Sequence, residues 1–524
     1  LFASAEPLKP ATPAARAYLA AWDRGDYTAM AARVEKPPAD FAARHQQQTG
    51  SLNVSSSKHT LGPLQAVDGQ ATASFTATLE LAGLGTWSYE GSLRLHRSEN
   101  VWRVEWTPAT IHPQLTSRLS FHRTRTRQPR ASILAADGTV LADTKGAKLP
   151  SSEVGGHLVG RIGLVTADLL KQLGPSYAAG DIVGLTGLEQ AQERQLAGTP
   201  SGDVTLVSED GKAAAVLDHI GGTAPKTVQT SLDPRVQRAA ESALGPNGQP
   251  AALVAIKPST GEILAVVNRP IGGFGRALAG KYPPGSTFKV LTAAALLEKG
   301  MKGADSVTCP STITVGGRKF SNFEGETAAG LTFRKAFAIS CNTAFIGMAT
   351  SKLKGSDLLA SAALFGFNSA PSIGMPAYGG SVPDPNGIVE LAATAIGQAK
   401  VQVSPMQMAS VAAAVASGTW RPPTLVAGSA ASIGPRALPE PVVTGLREFM
   451  AAVVQGGTGT AAALPGAPVS GKTGTAEFGT SNPPPTHAWF IGFRGDLAFA
   501  VLVEGGGVGG RVAAPLARSF LSRL

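Results

Sequence analysis

The chain carries the stretch PPGSTFKVLTAAALLEKG, Pro283 to Gly300. Consecutive prolines cannot sit inside a helix, so a helix here must start near Ser286. From Val290 to Leu297 every residue but Thr292 is apolar, and Gly300 supplies the stop. A helix that is apolar on nearly every side is a buried one. Ser286 and Lys289 then lie one turn apart on the same face. A serine at that point sits at the positive end of the helix dipole, where negative charge is favoured. A buried lysine loses solvation, which disfavours its charged form and lets it act as a base. Together they form the pairing that an activated nucleophile requires. The competing reading makes Ser286 only an N-cap. Spacing alone does not decide, because Ser55 and Lys58, and Ser351 and Lys354, share it.

Two further stretches bear on the choice. AISCNTAF puts Ser340 and Asn342 two residues apart at an expected helix boundary. SGKTGTAEF puts Lys472, Thr473, Gly474 and Thr475 on an expected short strand. Serine-any-asparagine is weak alone, since Ser51-Leu52-Asn53 and Ser98-Glu99-Asn100 also fit, whereas Lys-Thr-Gly occurs once. The three patterns in this order, at a helix start, a helix junction and a strand, carry weight together.

A chain of 524 residues is too long for one core, so two to four domains are expected. The formal charge of +10 raises the question of an anionic partner. The basic residues are scattered apart from Arg118 to Arg130, and nothing interleaves aromatic with basic residues as a single-strand binder needs. Nucleic acid is therefore not expected as a partner. Two cysteines, Cys309 and Cys341, make neither a disulfide framework nor a zinc-ligand spacing, so no metal and no cofactor is expected. No apolar run reaches the ~18 residues of a membrane span. The given sequence begins at Leu1 without a methionine, and no signal pattern is visible in it.

Along the chain, residues 1–12 are rich in Pro and Ala and read as a linker end. A short amphipathic helix follows, with Ala14, Ala17, Tyr18, Ala21 and Trp22 at helical spacing. In ATASFTATLEL the residues Ala73, Phe75, Ala77, Leu79 and Leu81 alternate with polar neighbours, the period of a half-buried strand. TWSYEGSLRLHR and NVWRVEW repeat it across a polar turn at Ser98 to Asn100. Residues 13–111 thus read as a small α+β domain without a catalytic grouping, and 112–230 as a connecting domain. Residues 231–524 place two outer hairpins, AALVAIKPSTGEILAVVNRP and HAWFIGFRGDLAFAVLVEGG, around an Ala-rich helical region. That order predicts helices packed on an antiparallel sheet.

With the three motifs in place, the chain resembles the penicillin-binding proteins, specifically the monofunctional class B transpeptidases. GQAKVQVSPMQMA resembles the family's stretch between the second and third motifs, with Ala399 where a glycine is usual. RASILAADGTVLAD and GLTGLEQAQERQLAG resemble its pedestal or dimerisation region. Residues 13–111 resemble the extra, nuclear-transport-factor-like domain of the low-affinity staphylococcal penicillin-binding protein. The fold implied is multidomain α+β, with a C-terminal transpeptidase domain of the penicillin-binding and serine β-lactamase type, a five-stranded antiparallel sheet with a helical subdomain.

The resemblance implies a peptidoglycan D,D-transpeptidase. Ser286 would attack the penultimate D-Ala carbonyl of a stem peptide, and D-Ala would leave. An acceptor amine from a neighbouring stem would then take the acyl group. Lys289 would accept the serine proton and Ser340 relay it. Asn342 would hold the substrate backbone. Lys472, Thr473 and Thr475 would bind its carboxylate. Gly474 would let the substrate lie against the strand. The N–H groups of Ser286 and Thr475 would form the oxyanion hole. The implied partners are stem peptides, β-lactams and divisome or elongation proteins, on the extracytoplasmic face of the bacterial membrane, with the anchor outside this chain. A serine β-lactamase or carboxypeptidase uses the same motifs. A non-catalytic β-lactam sensor or wall-assembly scaffold is the reading from another class. A β-lactamase also needs a placed deacylating base, which the sequence does not show. In the oxidising compartment the resemblance implies, Cys309 and Cys341 are expected to pair, with two buried free thiols the alternative. His487 and Glu477, close to the third motif, read as structural and as a solvated strand-end carboxylate.

Overall fold

Period-two alternation builds the first sheet. In the computed structural model, which describes residues 10–142, 156–245, 249–429, 433–466 and 468–524, β1 (Val54–Val67), β2 (Gln70–Leu81), β3 (Gly85–Ser98) and β4 (Val101–Val104) form an antiparallel meander in that order. Most of the expected linker end lies outside the described residues. Along β2, Ala71, Ala73, Phe75, Ala77, Leu79 and Leu81 are buried and their neighbours are not. Gly91 sits opposite Phe75, and a Cβ there would meet the ring at 2.2 Å, so this strand pair closes only over glycine. The two-residue turns Asp68-Gly69 and Glu99-Asn100 hold positive φ at both positions, the geometry that matches strand twist.

Helices α1 (Thr12–Asp23) and α2 (Phe41–Leu52) complete this core. The buried stripe of α1 is Ala15, Tyr18, Leu19, Ala21 and Trp22. It is turned by one residue from the expected stripe, because Leu19 rather than Ala17 takes the deep position. Ile111, Leu115, Phe121, Val204 and Leu206 belong to the same apolar cluster. Strands Leu119–Arg123, Gly202–Ser208 and Ala213–Ile220 form a second antiparallel sheet of this unit. The chain divides into two units, one of residues up to Arg130 with Ile162–Val183 and Glu193–Lys226, the other of Ala131–Arg161, Gly184–Gln192 and Thr227–Leu524. Residues 112–230 are thus shared between the two.

In the second unit, α3 (Pro234–Leu244) precedes the hairpin β5 (Ala251–Ile256) and β6 (Ile263–Arg269). The helical region follows, with α4 (Lys289–Glu298), α5 (Phe333–Ala338), α6 (Asn342–Lys352), α7 (Pro405–Ser417) and α8 (Glu440–Gly456). Strands β7 (Ser470–Glu477), β8 (Thr486–Arg494) and β9 (Leu497–Val503) and helix α9 (Gly509–Leu521) close the chain. The sheet has five antiparallel strands in the order β6-β5-β9-β8-β7, as the resemblance implies. The first and last hairpins meet where β5 pairs with β9, and β5 is buried along its whole length. Helices α3 and α9 cover one sheet surface with a core of Val236, Ala240, Phe490, Phe499 and Phe520. Helix α7 packs on β9, β5 and β8. Strand β7 is one of the two edge strands, so half of its backbone groups are not used by the sheet.

Candidate active site

The double proline acts as expected, but the helix does not open in α form. Gly285–Phe288 is a 3-10 turn, and α4 begins at Lys289. Residues three apart eclipse in a 3-10 turn, which aligns Ser286 and Lys289 more closely than an α turn would. Ser286 caps no helix; the N-cap of α4 is Phe288, without a side-chain cap bond. That removes the N-cap reading. Ser286 is half-buried, while Lys289 is 0% exposed.

Lys289 Nζ donates to Ser340 O at 2.6 Å, Asn342 Oδ1 at 2.6 Å and Ser340 Oγ at 3.3 Å. Its acceptors thus all lie in the second motif. Lys472, also fully buried, donates to Ser340 Oγ at 2.8 Å and to Thr473 O at 3.1 Å, with Phe337 against its ammonium. Ser340 Oγ therefore faces both lysines with its lone pairs, and its single proton is left for a third group. Burial holds Lys289 well below the usual lysine range, and the charge of Lys472 pushes the same way; Glu326 opposes both. Burial brings Lys472 down to about 7, again against Glu326. A lysine that is neutral near pH 7 accepts a proton. Ser340 holds φ at 64°, a left-handed conformation that costs a residue with a side chain ~1–2 kcal/mol. Such a cost persists where function needs the position.

The three motifs interlock through glycines. A Cβ on Gly474 would come within 2.8 Å of Thr287 Cγ2 and 2.9 Å of Pro284 O. Gly285, at φ 52°, would meet Thr475 O at 2.7 Å. Gly474 therefore admits the Ser286 turn against β7, which differs from the expectation that it clears a substrate surface. Thr473 is nearly buried and its hydroxyl lies 2.5 Å from that of Thr458. Thr475 is half-buried, and its hydroxyl accepts from Gly509 N at 3.3 Å.

Cys309 and Cys341 form a disulfide, with Cα atoms 6.2 Å apart. It ties strand Ser306–Cys309 to the N-cap of α6, directly between Ser340 and Asn342. Closing a loop of this length contributes ~3–4 kcal/mol in the chain-entropy picture. Around it Asn322 accepts from Thr343 N at 3.0 Å and donates to Pro310 O at 2.9 Å. Neither Asn322, Thr458 nor Glu326 stands out in the sequence, because each is brought to the site by chain folding over long separations. His487 is stacked on Phe478 and accepts from Gly505 N, a structural placement. Glu477 is exposed at the strand end.

A half-buried serine at a helix start, with one buried lysine a turn away and a second behind a shared hydroxyl, defines a serine acyl-transfer site. Residues 251–522 match the family described as penicillin binding protein transpeptidase domain. Residues 10–118 match an NTF2-like N-terminal transpeptidase domain, and 148–230 a penicillin-binding protein dimerisation domain. The chain is 33% identical over 372 residues to the peptidoglycan D,D-transpeptidase PbpA of Mycobacterium tuberculosis, covering 58% of this chain and 74% of that protein. It is 28% identical over 435 residues to the peptidoglycan D,D-transpeptidase MrdA of Acinetobacter baumannii, covering 70% and 64%. Among solved structures, PBP2 of Pseudomonas aeruginosa in complex with WCK 5153 superposes with a TM-score of 0.64 at 27% identity, over 77% of this chain and 96% of that one. The penicillin G acyl-enzyme of M. tuberculosis penicillin-binding protein A gives 0.59 at 27% identity, over 76% and 99%. The chain belongs to the penicillin-binding protein transpeptidase family.

Proposed function

We propose that Ser286 is the nucleophile of a peptidoglycan D,D-transpeptidase, and that the same serine is acylated by β-lactams. The observation that carries the assignment is the hydroxyl of Ser340 held between Lys289 and Lys472. It joins three distant motifs into one proton path. Lys289 takes the Ser286 proton as Oγ attacks the penultimate D-Ala carbonyl. The oxyanion lies between the N–H groups of Ser286 and Thr475, each such donor being worth ~3–4 kcal/mol where one has been removed. Ser340 passes the proton to the leaving D-Ala nitrogen. An amine then attacks the ester, and the protons return along the same path.

Lys472 is buried and bonded to Ser340, so its charge acts on the substrate carboxylate from behind the hydroxyls of Thr473 and Thr475. Asn342 fixes Lys289 through Oδ1 and donates one Nδ2 hydrogen to Ser321 O, and its second N–H is the one that holds the substrate backbone. Enzymes of this kind work outside the cytoplasm, and we assign this one to the outer face of the cell membrane. A Helicobacter pylori PBP2 is solved in complex with MreC, which supports the reading of elongation or division proteins as partners. The first domain, 13–111, acts as a spacer or docking module. The test is the fate of the adduct with a fluorescent penicillin. Labelling at Ser286 with slow loss supports the assignment; rapid turnover would make the protein a β-lactamase, and transfer to an amine separates an enzyme from a sensor.

A further inference from the structure

The segment Ser321–Thr327 has no part in the path above, yet it is fastened to both walls of the site. At one end Asn342 Nδ2 donates to Ser321 O at 3.3 Å, and the buried Asn322 side chain holds Thr343 N on one side and Glu326 O, at 2.7 Å, on the other. At the other end Glu324 pairs with Arg511 on the first turn of α9, with nitrogen–oxygen distances of 3.3 Å. That turn starts at Gly509, which donates to Thr475 Oγ1 and packs on Gly474 O. The segment therefore runs from the second-motif wall to the third-motif wall, and Glu324 holds φ 54° within it. Glu326, two residues beyond the Arg511 pair, is exposed.

Charge gives this placement a meaning. The donor ends in a carboxylate and meets the lysine side of the site. The acceptor arrives as an ammonium ion and needs the opposite sign. Among the described residues, Glu326 is the carboxylate whose field reaches both Lys289 and Lys472. Partial desolvation and the nearby Glu324 push its carboxyl up, against the pull of the two lysines.

We propose that Glu326 is the counter-ion that docks the acceptor ammonium beside the acyl-enzyme and carries away its first proton. The inference rests on the transpeptidase reading and names the site of its second substrate, a primary amine that is cationic in solution. The ammonium gives one proton to the Glu326 carboxylate, which releases it to solvent. The neutral nitrogen forms a bond to the ester carbonyl carbon. The carbon–oxygen bond to Ser286 breaks, and the second proton of the attacking nitrogen passes through Ser340 and Lys289 to Ser286 Oγ. The products are an amide, the free serine and one proton.

The test uses the full chain, as wild type, Glu326→Gln and Glu326→Asp, with an acyl-D-Ala thioester donor. Three quantities are read: acylation by fluorescent penicillin, hydrolysis of the donor, and amide formation with glycinamide or with hydroxylamine, which is uncharged at neutral pH. A lost charge-assisted contact weakens binding by about one to two decades. Glu326→Gln removes a charge that also acts on Lys289 and Lys472, so it is expected to raise KM for glycinamide about tenfold or more beyond whatever common change appears in acylation, hydrolysis and transfer to hydroxylamine. Glu326→Asp should recover part of the loss. Equal losses in acylation and in both amine reactions would mean that Glu326 only tunes the lysines, and unchanged glycinamide transfer would place the acceptor elsewhere; either overturns the proposal. A wild-type protein that acylates yet forms no amide with either amine overturns the transpeptidase reading itself, and this proposal with it.

Discussion

Both units bury ionisable side chains, and in only one of them do these side chains converge on a candidate reaction centre. In the first unit burial pushes His45 down to about 3, helped by the charge of His59, and His112 down to about 4. His59 is also lowered by burial, although Asp23 holds its Nδ1 at 2.7 Å. These rings are stacked among Trp22, Tyr27, Phe41 and Trp87. A cavity of about 230 Å³ even opens beside them, lined by Trp22, Tyr27, His45 and Gln48. In the second unit Lys289 and Lys472 are as deeply buried, but both donate to the one hydroxyl of Ser340, and Lys289 lies one turn from the half-buried Ser286. A shifted pKa or a cavity therefore does not by itself locate chemistry. Convergence on a reachable nucleophile does.

The hardest blow to this contrast is aimed at Ser286. Ser286→Ala should abolish covalent penicillin labelling while the melting profile persists, because the serine fills little volume and makes no cap. A labelled peptide recovered elsewhere in the chain would break the assignment. Next in size, Lys472→Ala should lower acylation efficiency by about one to two decades, the worth of a charge-assisted contact of ~1.5–3 kcal/mol. Acylation at the parent rate would show that the buried lysine does not reach the substrate carboxylate.

The buried groups should also separate by pH. His45 and His112 titrate near 6.5 when unfolded and near 3 and 4 when folded, so the unfolded chain binds more protons between those values. The first unit should therefore lose stability as pH falls from 6.5 toward 3. Lys472 moves from 10.5 to about 7 on folding, so its burial weighs on the second unit near pH 7 and is relieved as pH rises toward 10.5. Urea midpoints read by tryptophan fluorescence test this, since Trp22, Trp87, Trp102 and Trp106 report the first unit and Trp420 and Trp489 the second. A first-unit midpoint that stays flat from pH 6.5 to 4 would mean that its imidazoles are not sealed.

A smaller effect concerns Ala399, which holds φ at 63°. Ala399→Gly should stabilise the second unit by about 1 kcal/mol, since the left-handed conformation costs alanine ~1–2 kcal/mol and glycine nothing comparable. A fall in melting temperature would show that the methyl group is needed for packing. Smallest of all is the expected change in chemistry on removing the first domain. A chain starting near Ile111 should acylate within about a factor of three of full length, because every motif residue lies in the second unit. The cut uncovers Leu115, Phe121, Val204 and Leu206, so rates belong to monodisperse protein only. A tenfold fall in a monodisperse sample would mean that the domain shapes the site.

Much of this contrast was legible in one dimension. The alternation at Ala73 to Leu81 marks a one-sided strand, and Pro283-Pro284 marks a helix start, because both are set by local geometry within a few residues. The three motifs could be found for the same reason, each being a short run. The rotation of α1 is not written as plainly, since alanine is compatible with either side of a helix and it is the burial of Leu19 that sets which side faces the core.

Sequence alone marked the main strands and the buried helix, the candidate reacting side chains and, through the family resemblance, the five-stranded fold. Tertiary structure decided how they meet. Ser286, Ser340 and Lys472 are separated by 54 and 132 residues, and no local rule brings two buried ammonium groups to one hydroxyl. Gly474 took its meaning only when the Ser286 turn was found pressed against β7. Glu326 became visible only as charge beside Lys289 and Lys472. Coulomb energy and steric contact depend on distances through space, and chain separation does not encode those distances until the core has closed.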